Sequence, residues 1–147
     1  MSDPTVELQA ALYRMLSAGM SCPVYDAVPE DAAPPYVTID YEVASNADLL
    51  ACRLEKRWLY LSVWSNYPGQ AEVKRLLAEI DLVLHGQRLA LITGVIDVAG
   101  WQPYFNESLS VPLAAVTRLR VERKSTQRDA DGRTYQGQAV ISVMTQH

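Results

Sequence analysis

Histidine, cysteine and glycine are all scarce in this chain, and each scarcity removes a class of chemistry. The two histidines are His85, which closes a helix-like stretch, and His147, the last residue. Neither has beside it the orienting carboxylate and nucleophile that a catalytic triad requires, so His85 reads as a helix-end surface residue ahead of a general base. The seven glycines are scattered and match neither a dinucleotide fingerprint nor a phosphate-binding loop. Two cysteines, Cys22 and Cys52, are too few for a disulfide scaffold and lack the paired spacing of a zinc or redox site. They read as reduced, incidental thiols. No apolar run approaches the roughly 18–20 residues of a membrane-spanning helix. The opening Met1-Ser2-Asp3-Pro4 is acidic and polar and reads as neither a signal nor a transit peptide, so a cytoplasmic site of synthesis is the default expectation.

What is present is ordinary globular material. Apolar residues make up 49% and charged residues 20% of 147 positions, which predicts one soluble domain, 1–147, able to bury a core. The net charge of −4 conceals a gradient. Residues 1–50 carry eight acidic side chains against Arg14 alone, for −7; residues 51–86 come to +1 and residues 87–147 to +2. An acidic front and a mildly basic back favour unlike ends of like molecules meeting, the arrangement behind heterologous ring contacts. A solvated surface with a chance asymmetry accounts for the same numbers. The basic excess of a dedicated nucleic-acid binder is missing.

The periodicity predicts an α+β fold: two main helices on a mostly antiparallel sheet, closing with a C-terminal β-hairpin. Leu8, Ala11, Leu12, Met15 and Leu16 form one helical stripe. Asp3 is placed to cap it, Pro4 suits the first helical position and Gly19 a left-handed exit. Burying the four larger side chains is worth about 6–10 kcal/mol before entropy is subtracted, enough to dock the helix but not to hold it alone. Pro34-Pro35 feeds an extended segment in which Val37, Ile39, Tyr41 and Val43 point one way and Tyr36, Thr38, Asp40 and Glu42 the other. Residues 44–53 lack a clean period and read as a loop or a long hairpin tip.

A strand from Leu54 to Trp64 follows, with Leu59, Leu61 and Val63 on one face and Trp58, Tyr60, Ser62 and Trp64 on the other. Two largely apolar faces imply a central strand covered on both sides, or one covered by a neighbouring subunit. Val73, Leu76, Leu77, Ile80, Val83 and Leu84 make the apolar face of the second helix, ended by His85 and Gly86. The last third reads as strands: an apolar run 89–98 interrupted by Gly94, an aromatic excursion around Trp101, Tyr104 and Phe105, then 115–125 and 134–145. In 115–125, Thr117, Leu119 and Val121 oppose Arg118, Arg120, Glu122 and Lys124; Asp129-Ala130-Asp131-Gly132 turns the hairpin.

No residue set carries catalytic, cofactor or metal chemistry. Asp129-x-Asp131-Gly132 resembles the start of a calcium loop but lacks its later oxygen ligands and closing glutamate, so a plain turn outweighs it. Asp26, Glu30 and Asp31 read as a solvated acidic loop ahead of a metal site. Arg118, Arg120, Arg123, Lys124, Arg128 and Arg133 cluster near the final hairpin. They offer either a partner-contacting basic surface or a charged edge that deters aggregation, diluted by Glu122, Asp129 and Asp131. Trp58, Tyr60, Trp64, Trp101, Tyr104 and Phe105 suit core or protein interface better than a ligand box. With Arg118 and Arg120, these six are the candidate subunit-interface residues.

Four stretches, in order, carry a family pattern: the first helix into Pro23-Val24-Tyr25-Asp26-Ala27-Val28-Pro29; Pro34-Pro35-Tyr36-Val37-Thr38-Ile39; Leu59-Tyr60-Leu61-Ser62-Val63-Trp64-Ser65 running into Gly69 and the helix from Glu72 to Leu84; and Asp129 through Gly137 before the closing strand. Together they resemble the tail-completion, or tail-terminator, proteins of long-tailed bacteriophages. Residues 99–114 depart from the pattern by their length, which leaves the strand pairing there open. The resemblance implies a structural virion protein that is not an enzyme and uses no cofactor or metal. It implies six-fold rings of copies of the chain that cap the head-proximal end of the tail tube, end its polymerisation and offer the head–tail joining surface. Implied partners are the major tail tube protein and the head–tail connector or stopper proteins. Genomic DNA would pass through the ring without specific binding, and no membrane is involved. The site implied is the neck-proximal end of the virion tail, after assembly in the host cytoplasm. A head-side stopper protein is the nearest alternative. A cytoplasmic small-ligand-binding domain is a further one, and it would need a pocket lined by Tyr25, Asp26 and His85.

Overall fold

The structure, a computed structural model, describes residues 4–50, 53–89, 92–97, 108–112 and 115–146. The first helix, α1, spans Thr5–Gly19 and buries Leu8, Ala11, Leu12 and Leu16, the predicted stripe. It starts one residue later than expected: Pro4 takes the cap position without a side-chain cap bond, and its carbonyl accepts from the Leu8 N–H at 2.8 Å. Asp3, the expected cap, lies outside the described residues. Gly19 serves packing rather than a left-handed exit. Met20 after it is extended, and a Cβ on Gly19 would stand 2.6 Å from Val83 Cγ2 of the second helix. The missing side chain lets the two helices approach.

The second helix, α2 (Ala71–Leu84), buries Val73, Leu76, Leu77, Ile80 and Leu84. His85 is its C-cap and Gly86 follows at φ +77°, the left-handed position that glycine fills without steric cost.

The main sheet has six strands. β1 (Val24–Tyr25) runs parallel to β2 (Tyr36–Asn46), which pairs antiparallel with β3 (Leu54–Ser65). β3 in turn pairs antiparallel with β8 (Tyr135–Gln146). The far edge of β8 is shared: β7 (Arg120–Arg128) lies along residues 135–142 and β6 (Ala115–Val116) along Thr145 and Gln146. The region expected as one strand, 115–125, is therefore broken at 117–119. There the Leu119 N–H bonds Gln87 O and the Leu119 carbonyl accepts from the Gly86 N–H, tying the break to the end of α2. The terminal β7–β8 hairpin stands as predicted. Asp131 Oδ1 accepts from the Arg133 and Thr134 N–H groups, both at 2.8 Å, and Gly132 sits at φ +71°. The apolar run yields β4 (Ile92–Asp97), which pairs with β5 (Ser108–Pro112) in a separate two-stranded sheet.

Both helices cover one face of the sheet. Val37, Leu59, Leu61, Val63, Ala139, Ile141 and Val143 face them in a single core with the helix residues. At Gly137 the approach is closest, since a Cβ there would meet Val73 Cγ1 at 2.6 Å.

Two irregularities overturn the predicted alternation. In β2 the register shifts between Ile39 and Tyr41, so Asp40 is an extra residue. Beyond it Tyr41 lies opposite Tyr60 and Val43 opposite Trp58 on the helix-free face, while Glu42, opposite Leu59, turns toward the helices. In β7 a similar shift between Val121 and Arg123 brings Lys124 to the helix side, where its Nζ lies 2.9 Å from Asp81 Oδ2. β2 also runs three residues into the expected loop. Its tip is stapled by Asp48, whose Oδ1 accepts from the Leu54 N–H at 2.9 Å.

The helix side hides charged groups among the described residues, Arg57 deepest of them with Glu55 beside it. Arg57 is 1% exposed. Its Nη2 meets Glu55 Oε2 at 2.8 Å, its Nη1 meets Glu42 Oε1 and Thr5 Oγ1 at 3.0 Å each, and its Nε donates to Thr145 Oγ1 at 3.1 Å. One guanidinium thus links β3, β2, β8 and the start of α1, the condition under which a buried charge is tolerated.

Candidate functional site

Because side chains alternate along a strand, the face turned from the helices is set by the same registers. It carries Tyr41 and Val43 from β2, Lys56, Trp58, Tyr60, Ser62 and Trp64 from β3, and Val140, Ser142 and Met144 from β8. Neither α1 nor α2 lies over it. Tyr41 is 54% exposed and Val43 42%, while Trp58, Tyr60 and Trp64 are half-buried by one another and by the sheet.

The aromatic groups are held in defined positions. Tyr41 and Tyr60 stack with ring centroids 4.2 Å apart and planes 13° from parallel. Lys56 Nζ lies 5.1 Å from the Trp58 ring centroid, within cation–π range. A line of polar groups crosses the strands beside them. Trp64 Nε1 donates to Thr38 Oγ1 at 3.4 Å, Thr38 Oγ1 donates to Asp40 Oδ1 at 2.8 Å, and Ser62 Oγ donates to Asp40 Oδ2. Gln136 Nε2 donates to Ser62 Oγ at 3.3 Å and Gln127 Nε2 to Gln136 Oε1 at 2.9 Å. The bulge residue Asp40 is thus the acceptor at the centre of the line. Rigid, partly exposed aromatics with polar groups at their margin have the make-up of a protein-binding surface.

Of the predicted interface residues, Trp58, Tyr60 and Trp64 come together here. Arg120 lies in the same cross-strand row as Trp58, since both oppose Ser142 from either side. Arg118 sits nearby, its Nη1 donating to Gly86 O at 2.8 Å. Both arginines line a cleft of about 580 Å³ with Lys56, His85, Arg88 and Glu122. The Ser142 hydroxyl donates to Glu122 Oε1 and holds that carboxyl below its ordinary value, with Arg120, Lys56 and His85 adding to the effect. Trp101, Tyr104 and Phe105 lie outside the described residues. Tyr41 and Val43 were placed on the wrong face by simple alternation, and no motif in the sequence marks the bulge that turns them outward.

The other chemical readings find no support in the geometry. Asp26 lines a recess of about 80 Å³ with Gln9 and Tyr41, whereas His85 belongs to the separate cleft, so the pocket that a small-ligand site required is not assembled. His85 Nδ1 accepts from the Val121 N–H at 3.1 Å. Asp131 spends Oδ1 on two backbone N–H groups and Oδ2 on the Thr134 hydroxyl, which makes it a turn former and not a calcium ligand. Among the described residues no cluster of three or more His, Cys, Asp or Glu could hold a metal, and no helix is long and apolar enough to cross a membrane. Burial, helped by the nearby Glu79, pushes the Cys22 thiol up to about 11, away from nucleophilic use.

Comparison with known proteins gives the same direction. Residues 8–146 match the model of a family described as tail completion protein gp17. A chain from the structure titled virion of native gene transfer agent (GTA) particle superposes with a TM-score of 0.76 at 20% identity, over 100% of both chains. That likeness is one of fold. Curated protein sequences gave no significant match.

Proposed function

We propose, from the premise that this chain belongs to the tail completion protein gp17 family and is a structural protein of the virion tail, a specific role at the end of the tail tube. Copies of the chain, acting as one terminator domain, close into a ring of six on the head-proximal end of the tube. The ring stops further polymerisation and presents the surface to which the head joins. Its partners are its own copies, the major tail tube protein and the connector or stopper proteins of the neck, with DNA passing through the ring unread.

One observation carries this reading: the sheet face bearing Tyr41, Val43, Trp58, Tyr60 and Trp64 is ordered, aromatic and partly exposed. A monomer gains little from fixing large aromatics at its surface, whereas an assembled one buries them. The structural likeness to a chain of a virion particle supports the same reading. The resemblance supplies the order of six and the position on the tube; Trp58, Tyr60, Trp64, Arg118 and Arg120, with Trp101, Tyr104 and Phe105, are the proposed contact residues.

The test is direct. Purified protein is incubated with tail tubes and imaged by electron microscopy. Rings seated on one end of each tube, with tube growth arrested, are the expected result. Bare tube ends at saturating protein would sink the proposal.

A further inference from the structure

Beside the aromatic face, and sharing Lys56, Ser142 and Met144 with it, the cleft at the end of α2 has the strongest charge. Lys56, Arg88, Arg118 and Arg120 surround it together with His85, and Glu122 is the one carboxylate among the described residues that line it. That carboxylate is engaged by Ser142, and its approach to Arg120 is long, 3.9 Å between largely exposed groups. Arg88 is exposed and makes no ion pair among the described residues. Four fixed cations thus converge on about 580 Å³ of open space with little internal compensation. An anion-bearing partner is what such a cleft fits.

The same molecule carries the complement. No lysine or arginine occurs between Arg14 and Arg53, and within that interval Asp26, Glu30 and Asp31 fall in six residues. All three are exposed and join no ion pair among the described residues. The Ala32 N–H to Pro29 O bond, at 3.1 Å, closes a turn that presents Glu30 and Asp31. Topology separates the two features. The acidic loop follows β1, at one edge of the sheet, while the cleft is lined from β3, β8 and the break between β6 and β7. The last residue of β1, Tyr25, lies level with Thr38 and Ser62, so Lys56 stands two strands over and about 20 Å further along the sheet, too far for a loop that returns to β2 at Tyr36 to serve its own cleft. Unlike patches on separate parts of one chain generate head-to-tail contacts between copies, which close into rings where the rotation allows.

We propose that the acidic turn Asp26–Asp31 of one copy docks in the Lys56/Arg88/Arg118/Arg120 cleft of the next, as a heterologous contact between adjacent copies. This names the contact within the ring proposed above and rests on that reading.

Zero-length carbodiimide coupling joins a carboxylate to an amine only at direct contact, and Lys56 supplies the amine in the cleft. Concentrated full-length protein, an equal mixture of isotope-labelled and unlabelled chains, is coupled alone and on tail tubes, then analysed by mass spectrometry. The expected product is a mixed-isotope cross-link between the 26–31 peptide and Lys56. Charge reversal gives the second arm. Glu30→Arg with Asp31→Arg, or Arg88→Glu with Arg118→Glu, should each lower tube-end rings about tenfold or more, because like charges then face each other. The four changes combined should restore them. Arg88→Glu alone spares the Arg118 bond to Gly86 and guards against a folding defect, and it should lower rings in the same sense.

Reversals that assemble like the unaltered chain, a combined variant that fails to recover, or cross-links only within one chain would overturn the contact while leaving the ring intact. Unaltered protein that leaves tube ends bare yet gives the mixed-isotope cross-link would sink the ring and keep the contact. Reversals that leave rings normal but weaken retention of duplex DNA would assign the cleft to nucleic acid and overturn the proposal.

Discussion

Arg57 Nη1 donates to Thr5 Oγ1 at 3.0 Å, so the best-hidden charge of the sheet holds the first residue of α1. The same guanidinium is paired with Glu42 and Glu55. Replacing it with an apolar side chain of similar length leaves two carboxylates in a poorly hydrated place. Arg57→Met is expected to destabilise the fold by about 3–5 kcal/mol, read from urea or guanidinium unfolding. Adding Glu42→Gln and Glu55→Gln to it should recover part of that loss. A loss below about 1 kcal/mol for Arg57→Met would show that the network is not what holds the helix to the sheet.

Gly137 tests the packing of α2. Its position opposite Val63 on the helix side leaves room for a hydrogen only, and an added methyl would press on Val73 Cγ1 and Leu77 Cδ1 at 2.6 and 3.0 Å. Gly137→Ala should cost about 1–3 kcal/mol through overpacking and lower the melting temperature accordingly. The exposed, positive-φ Gly132 meets nothing within 4 Å and offers a contrast, since a substitution there would report backbone strain alone.

The turn at Asp131 should give the fold a pH dependence of defined sign. The Thr134 and Arg133 N–H groups and the Thr134 hydroxyl hold the Asp131 carboxyl below its usual value. A carboxylate with a lowered folded-state value contributes stability that is complete above the unfolded value, near 4. That contribution is lost as pH falls through the lower folded value. Melting curves of the unaltered chain and of Asp131→Asn should therefore differ by a constant amount near neutral pH and converge in acid. A gap that persists at pH 2 would place the stabilisation in the shape of the side chain and not in its charge.

The aromatic face should separate folding from assembly. Trp58 packs on Lys56 and the sheet surface and contributes nothing to the core cluster beneath. Trp58→Glu is expected to leave secondary structure intact and to lower tube-end rings about tenfold or more, as a buried interface aromatic would. A variant that assembles normally would remove this face from the interface.

How much was legible in the sequence follows from how local each signal is. The stripe Leu8, Leu12, Leu16 and the face Val73, Leu76, Leu77, Ile80, Leu84 are set by spacing within one element, and both helices bury those residues. The turn at Asp131-Gly132 is equally local. What escaped depends on registers between strands. Nothing in Tyr36–Asn46 read alone says that Asp40 is extra, because the evidence for it is the Tyr60 partner across the ladder. Arg57 was missed although period two, carried back from Val63 and Leu59, places it on the helix side with Glu55. The charge made that continuation look improbable until Glu42 arrived from β2. Arg88 and Lys56 join the cleft only because Leu119 closes on the end of α2.

The bulge at Asp40 lets one strand be read in two frames. Up to Ile39 the odd-numbered residues of β2 face inward to the core, and past Asp40 the even-numbered ones do, so the same eleven-residue segment serves two clients. Its first half speaks to the helices through Val37 and Ile39. Its second half sends Glu42 to Arg57 and hands Tyr41 and Val43 to the outside. Deleting Asp40 would close the bulge and set Tyr41 directly after Ile39 in plain alternation, so Tyr41 would still face outward and Glu42 inward. What the outer face would lose is the carboxylate on which the Thr38 and Ser62 hydroxyls converge. The inserted residue thus leaves both faces their side chains and adds to the outer one an acceptor that joins β2 to β3.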